Sequence, residues 1–281
     1  MAMPKTLAEK RYKAPTKETG TPFKWAYGEE LWTWLGSHPD RASNMVAAMT
    51  SHNPLDAYPW GLELGKLNLR DEDVAIVDVA GGQGHISKKH SFHPSISGAR
   101  LYGFWVRSMI FVLPLRSIHS IHKCWPNGLI VAEIRRRNPQ IKGRFIVQDL
   151  PSTIEAVSMP PAGVEFMIYN IFTPQSVKDA FFYHYRHIFH NWSDDDCTAI
   201  LEQIVPLLKT QPKSKLMLVD VMLPDSNGTM QGAIMDISMF PMGGMERTES
   251  QWKLLLAKSG LGIRKIWRGR EPEACIECQL I

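Results

Sequence analysis

Two stretches of this 281-residue chain carry residue types and spacings that could do chemistry. The first is Ile76-Val77-Asp78-Val79-Ala80-Gly81-Gly82-Gln83-Gly84-His85-Ile86-Ser87. An apolar run that ends in a carboxylate and then turns on closely spaced glycines is what a parallel strand needs to feed a loop against a nucleoside ligand. Glycines let the backbone come close and reach positive φ, which residues with side chains reach only at a cost. Gly82-Gln83-Gly84 followed by Ser87 also nearly fits the dinucleotide fingerprint, and a glycine loop can simply be a tight turn. The second stretch is His190-Asn191-Trp192-Ser193, at the end of an apolar run. An imidazole with an ordinary pKa of about 6.5 can take a proton from a reacting hydroxyl near neutral pH. It can equally be a strand-end core histidine satisfied by one hydrogen bond.

The elements that must hold these groups follow from periodicity and punctuation. From Trp25 to Met49, Trp25, Tyr27, Leu31, Trp34, Leu35, Met45, Val46 and Met49 recur at roughly helical spacing, and Pro39 with Asp40 as N-cap splits them into two helices. Residues 1 to 22 are polar and read as a loose arm or as a segment that should pack on something absent. After Pro59-Trp60 the alternation of an open α/β sheet sets in. Strands are expected at Val74–Ala80, Arg144–Leu150, Val164–Ile171, Phe181–Phe189 and Lys215–Leu223, and two more, Ile263–Trp267 and Ala274–Ile281, close the chain. Ser193 followed by three aspartates opens a helix that runs to about Leu208. Thr248-Glu249-Ser250-Gln251 opens a second, ending at Gly260.

One region breaks the pattern. In a nucleotide-binding βαβ unit the ribose-holding acid lies about 20 residues past the glycine loop, whereas Asp149 lies more than three times as far from Gly84. The excess falls between Lys88 and Leu129, a stretch with no clean period, and is read as translated non-coding sequence such as a retained intron. Ile130 to Arg137 then resumes a helical pattern that would follow Ser87 directly.

Composition narrows the function class. An apolar content of 44% suffices for a proper core, in one large α/β domain or two small ones. A net charge of +4 without blocks gives no nucleic-acid footprint. The longest apolar run, Leu101 to Leu115, is interrupted by Arg107 and falls short of the ~20 residues of a membrane span. Lys5, Glu9, Lys10 and Arg11 leave no room for the apolar core of a secretory signal. Four irregularly spaced cysteines point to reduced thiols and a cytoplasmic protein. Cys275 and Cys278 read as residues on opposite sides of a strand, and Cys124 and Cys197 do not complete a zinc site. No metal is expected.

Taken in order, Val77 to Gly84, Gln148-Asp149-Leu150-Pro151, His190 to Cys197, Asp220 with Leu223-Pro224, and Gly244-Met245-Glu246-Arg247-Thr248 resemble the S-adenosylmethionine-dependent O-methyltransferases of the plant caffeate type and their fungal secondary-metabolite relatives. The resemblance covers about residues 21–87 and 130–281. It implies a Rossmann-like class I methyltransferase sheet, helices on both faces and an antiparallel last strand. It also implies that residues 61–281 form the S-adenosylmethionine-binding catalytic domain with an atypical insert at 88–129. Residues 1–60 would be the remnant of a helical N-terminal region that in the family makes a homodimer and one wall of the acceptor pocket.

The same resemblance assigns roles. Asp78, Ala80, Gly81, Gly82 and Gly84 would lie along the cofactor's methionine moiety, and Asp149, with Leu150 after it, would take the ribose hydroxyls. Asn170, with Ile171 after it, stands where the family has an Asp near the adenine amino group, and Arg186 where it has a Lys. Ala80 replaces the usual first glycine, which is tolerable only if its φ is negative. His190 would be the general base and Asp220 and Glu246 the acids that flank it. Met49, Met235, Asp236 and Met239 would meet the acceptor, with thioethers adapting to a ring face; ordinary core is the other reading of the Met-rich run. The acceptor is expected to be a small aromatic, polyketide-like secondary metabolite with a phenolic hydroxyl. The alternatives are a catalytically inactive relative and an NAD(P)-binding oxidoreductase. The latter rests on the glycine loop alone and lacks a Tyr/Lys or metal-based hydride-transfer constellation downstream.

Overall fold

The computed structural model describes residues 3–9, 11, 20–38, 40–41, 57–82, 130–155, 157, 160–269 and 272–281. The chain opens with three short helices, α1 (Met3–Glu9), α2 (Pro22–Tyr27) and α3 (Leu31–Ser37). Trp25 Nε1 donates to Glu9 Oε2 at 2.7 Å, so α1 is tied down and is not the loose arm its polarity suggests. Trp25, Tyr27, Leu31, Trp34 and Leu35, expected in one helix before Pro39, are divided between α2 and α3. Gly28 ends α2 at φ 83°, a left-handed position that carries no Cβ penalty for glycine. The Phe23, Tyr27 and Trp34 rings then meet across that turn. Met45, Val46, Met49, Gly84 and the interruption at 88–129 lie outside the described residues.

The expected alternation follows. It comprises α4 (Trp60–Gly65), β1 (Val74–Val79), α5 (Ile130–Arg137), β2 (Arg144–Asp149), α6 (Pro151–Glu155), β3 (Glu165–Ile168), β4 (Phe182–Arg186), α7 (Asp194–Thr210), β5 (Lys215–Leu223), α8 (Met230–Met239), β6 (Arg247–Thr248), α9 (Glu249–Lys258), β7 (Leu261–Arg268) and β8 (Glu273–Leu280). The sheet order is β3-β2-β1-β4-β5-β8-β7, with the short β6 on the end of β5. β1 to β5 run parallel, and β8 is antiparallel to both its neighbours. The order reverses between β1 and β4, and in open α/β sheets the crevice beyond the strand ends at such a reversal is where ligands bind.

Alternating side chains feed two cores. Val77, Val79, Ile146, Tyr183, Tyr185, Leu216 and Leu218 pack under α7 and α9 through Ile200, Leu201, Ile204, Trp252 and Leu256. Ile76, Phe145, Val147, Phe182 and Met217 pack on the other face under Trp60, Leu64, Val131 and Ile134. Cys278 belongs to the first core and Cys275 to the second, as the strand reading of that pair requires. Both thiols are free. Among the described residues no helix is long and apolar enough to cross a membrane.

Two strands are shorter than their apolar runs. β3 stops at Ile168 because Asn170 Oδ1 accepts from the Phe172 amide at 3.0 Å and turns the chain. β4 stops at Arg186 rather than Phe189 because His187 sits at φ 54°. Residues Phe189–Asn191 then form one 3-10 turn, and Phe189 is buried there for packing, not for strand alternation.

Candidate active site

The turn that carries His190 is held from three directions. On its far side Ser193 caps α7, its hydroxyl accepting from the Asp196 amide, with three aspartates in the first turn suiting the helix dipole. From behind, the Arg247 guanidinium, 1% exposed, donates to the Phe189 and Trp192 carbonyls at 2.9 Å and to Asp194 Oδ1 at 2.9 Å. Alongside, the Met245 amide donates to the His190 carbonyl at 2.9 Å. A Cβ on Gly244 would stand 1.9 Å from that carbonyl oxygen, so only glycine lets the two backbones meet. The position of Glu246 is set in turn by Asp236, whose Oδ1 accepts from the Glu246 amide at 2.9 Å.

The imidazole is 2% exposed, as are Asp220 and Glu246. His190 Nδ1 is 2.9 Å from Glu246 Oε1 and 3.8 Å from Asp220 Oδ1. A carboxylate can only accept, so Nδ1 carries a proton, and in the neutral imidazole Nε2 keeps its lone pair. Nε2 is buried and has no hydrogen-bond partner among the described residues. Burial by itself disfavours the imidazolium, but the Asp220 charge and the Glu246 bond outweigh it and raise the His190 pKa. Asp220 is raised too, to about 7, by burial and, against the pull of His190, by the Glu246 charge. His190 and Asp220 together hold a proton more firmly than they would apart.

Next to His190, with ring centroids 4.9 Å apart, lies His187. Its Nε2 is 2.9 Å from Glu273 Oε1, and the same carboxylate accepts from Arg186 at 2.7 Å. Burial and then the Arg186 charge push His187 down to about 4. Burial works against ionisation of Glu273, yet His187 and Arg186 hold it down at about 2. The Arg186 guanidinium, expected beside a cofactor, is thus engaged with the start of β8.

On the other side of the strand reversal, Ala80, Gly81 and Gly82 follow β1, and Asp149 ends β2. The Gly82 amide donates to Asp149 Oδ2 at 3.1 Å, and the Leu150 amide to Oδ1 at 2.7 Å. A Cβ on Gly82 would meet Thr153 Cγ2 at 2.6 Å, and one on Gly81 would meet Asp78 Oδ2 at 2.1 Å. The condition placed on Ala80 is not met: its φ is 54°, the left-handed region, because the chain must turn sharply off β1 before the two glycines. Asp78 is buried within the sheet, with Oδ1 at 2.7 Å from His184 Nδ1 on β4. Asn170 is at the tip of β3 with its carbonyl in the turn just described, and Ile171 packs half-buried on the α7 core.

The sequence-derived residues therefore divide. His190, Asp220 and Glu246 come together, as do Gly81, Gly82, Asp149 and Leu150, and both groups sit at the carboxyl ends of neighbouring parallel strands. Asp78, Arg186 and Asp236 have protein partners, and Met235 and Met239 are half-buried on α8. Gly84 and Met49 lie outside the described residues. Arg247 and Gly244 hold the His190 turn in ways that sequence reasoning did not assign, although both stand in one of its motifs, and His187 and Glu273 lie beside it. A cavity of about 240 Å³ lined by Tyr58, Trp60, Ile134 and Asn138 includes none of these residues.

Residues 125–262 match the O-methyltransferase domain family. Over 277 residues the chain is 31% identical to demethylsterigmatocystin 6-O-methyltransferase of Aspergillus flavus, with 96% of this chain and 59% of the relative covered. Over 275 residues it is 30% identical to the O-methyltransferase okaF of Penicillium ochrochloron, covering 95% of this chain and 60% of the relative. It thus spans about three fifths of the length of both relatives. The solved structure of the LepI complex with SAM superimposes with a TM-score of 0.72 at 26% identity, over all of this chain and 63% of that one. Residues 125–262 of this chain are thus similar to an O-methyltransferase domain, and nearly the whole chain is similar to these fungal enzymes.

Proposed function

We propose that this chain transfers a methyl group from S-adenosylmethionine to a hydroxyl, phenolic in character, of a small aromatic secondary metabolite. The observation that carries the reading is His190. Its Nδ1 is spent on buried Glu246, and its Nε2 has no partner among the described residues, at the same sheet edge as the glycine loop and Asp149.

The residues fit the cofactor. Gly81 and Gly82 leave backbone where any Cβ would collide, and Asp149 stands at the strand end where a ribose-holding carboxylate belongs. When bound, the cofactor supplies an electrophilic methyl on a sulfonium sulfur. The chain then has to place the acceptor oxygen in line and remove its proton. Nε2 of His190 takes that proton, and Glu246 and Asp220 stabilise the imidazolium that results. Gly244, Met245 and Arg247 keep the imidazole from swinging away, and half-buried Met235 and Met239 give the acceptor ring a polarizable wall.

A second reading, a relative that binds without turning over, is favoured by one observation: Ala80 is strained where the loop should meet its ligand. Two measurements separate the readings. Calorimetry with S-adenosylmethionine reports binding, and labelled-methyl transfer to a panel of phenols reports turnover. Transfer that disappears in His190→Ala supports the enzyme reading. Equal transfer in both proteins removes His190 as base, and heat of binding without transfer to any phenol leaves the second reading.

A further inference from the structure

His187, His190 and Asp220 each offer one ligand atom, and these atoms lie within 4.8 Å of one another. Two imidazoles and a carboxylate are a donor set that Zn²⁺ and neighbouring first-row divalent ions accept. Both imidazoles are already arranged as in such centres. One nitrogen of each is bonded to a buried glutamate, His190 Nδ1 to Glu246 and His187 Nε2 to Glu273, both at 2.9 Å. Carboxylates in that position fix ring orientation and leave the opposite nitrogen for a metal.

A second, independent observation concerns the same side chains. Among the described residues, His190 Nε2, Asp220 Oδ1 and Asp220 Oδ2 are buried without a hydrogen-bond partner, on side chains 3% and 2% exposed. All three are acceptors when the carboxyl is ionised. An acceptor hydroxyl brings a single proton and can satisfy one of them, whereas one divalent cation can serve all three. Asp220, Glu246 and Glu273 place three carboxylates in and behind this space, against the guanidinium groups of Arg186 and Arg247, so the local field also favours a cation.

We propose that His187, His190 and Asp220 form a binding site for a divalent transition ion, zinc above all, and that an ion held there takes the His190 lone pair and stops methyl transfer. The inhibition rests on the function proposed above; the metal binding does not.

The test uses the whole untagged chain titrated with Co²⁺, followed by its visible ligand-field absorption and by competition with Zn²⁺. One cobalt per chain is expected, with binding lost in His187→Gln. Binding should weaken about 10- to 100-fold in Glu273→Gln, which keeps all three ligands and loses only an orienting carboxylate. In labelled-methyl transfer, micromolar Zn²⁺ should inhibit the wild type and a chelator should restore it, while His187→Gln stays active and resists zinc. Absence of cobalt uptake by the wild type overturns the site, as does uptake unchanged in both variants. Cobalt uptake by a protein whose metal-free form transfers no methyl to any phenol overturns the proposed function and leaves the site standing.

Discussion

The two sides of the strand reversal are built differently. Around His190 nearly every group is tied to something else: Arg247 to two carbonyls and Asp194, Gly244 and Met245 to the His190 backbone, Asp236 to Glu246, Ser193 to α7. Around the glycine loop, Ala80 is in a left-handed conformation and the Gly82 amide leans on the Asp149 carboxylate. One corner is held in shape by the protein. The other has a carboxylate occupied by its own loop, a bond that a ribose hydroxyl would have to share or displace. The lesson is about where the fold spends its stability: on orienting the base, and less on shaping the cofactor edge.

Four substitutions break or sharpen that contrast. His190→Ala should lower methyl transfer by about 10²- to 10⁴-fold, as expected for loss of a general base, while calorimetric affinity for S-adenosylmethionine stays unchanged; a parallel fall in affinity would mean that the two corners are not separable. Arg247→Met removes the charged hydrogen bonds to the Phe189 and Trp192 carbonyls, which keep only the Trp192 amide and the Cys197 thiol, and should cost on the order of 3 kcal/mol at roughly 1.5–3 kcal/mol per charged bond. Urea unfolding checks it, and a midpoint equal to wild type would show that the clamp is dispensable.

On the cofactor side the expected effects are smaller. Asp149→Ala removes charge-assisted bonds worth roughly 1.5–3 kcal/mol each, so cofactor affinity, read by calorimetry, should fall by about one to two orders of magnitude. Ala80→Gly relieves a left-handed strain of about 1–2 kcal/mol, offset by the roughly 0.4–1 kcal/mol of extra chain entropy that glycine brings to the unfolded state. A net gain of about 0.5–1 kcal/mol follows, read as a melting temperature a few degrees higher. A lower melting temperature would mean that the Ala80 methyl makes contacts worth more than the strain.

Much of this was legible beforehand because it is local. The caps at Ser193 and Thr248, the strand alternation that puts Cys275 and Cys278 on opposite faces, and the helix at Ile130–Arg137 depend on neighbours within a few residues. What misled the reading was apolar sequence serving tertiary packing. Ile188 and Phe189 look like strand, yet a positive φ at His187 ends β4 first. The aromatics of α2 and α3 look like the start of longer helices, yet Gly28 divides them.

The order of motifs along the chain by itself determined the α/β sheet, the pairing of a glycine loop with Asp149, and the set of His190, Asp220 and Glu246. Only the tertiary structure decided that Arg247 is buried, that Arg186 turns to Glu273, that Ala80 carries strain, and that His187 joins His190 and Asp220. Composition and periodicity report which face of an element is apolar. The partner of a buried charge, in contrast, is set by backbone groups brought close only when strands far apart in sequence align.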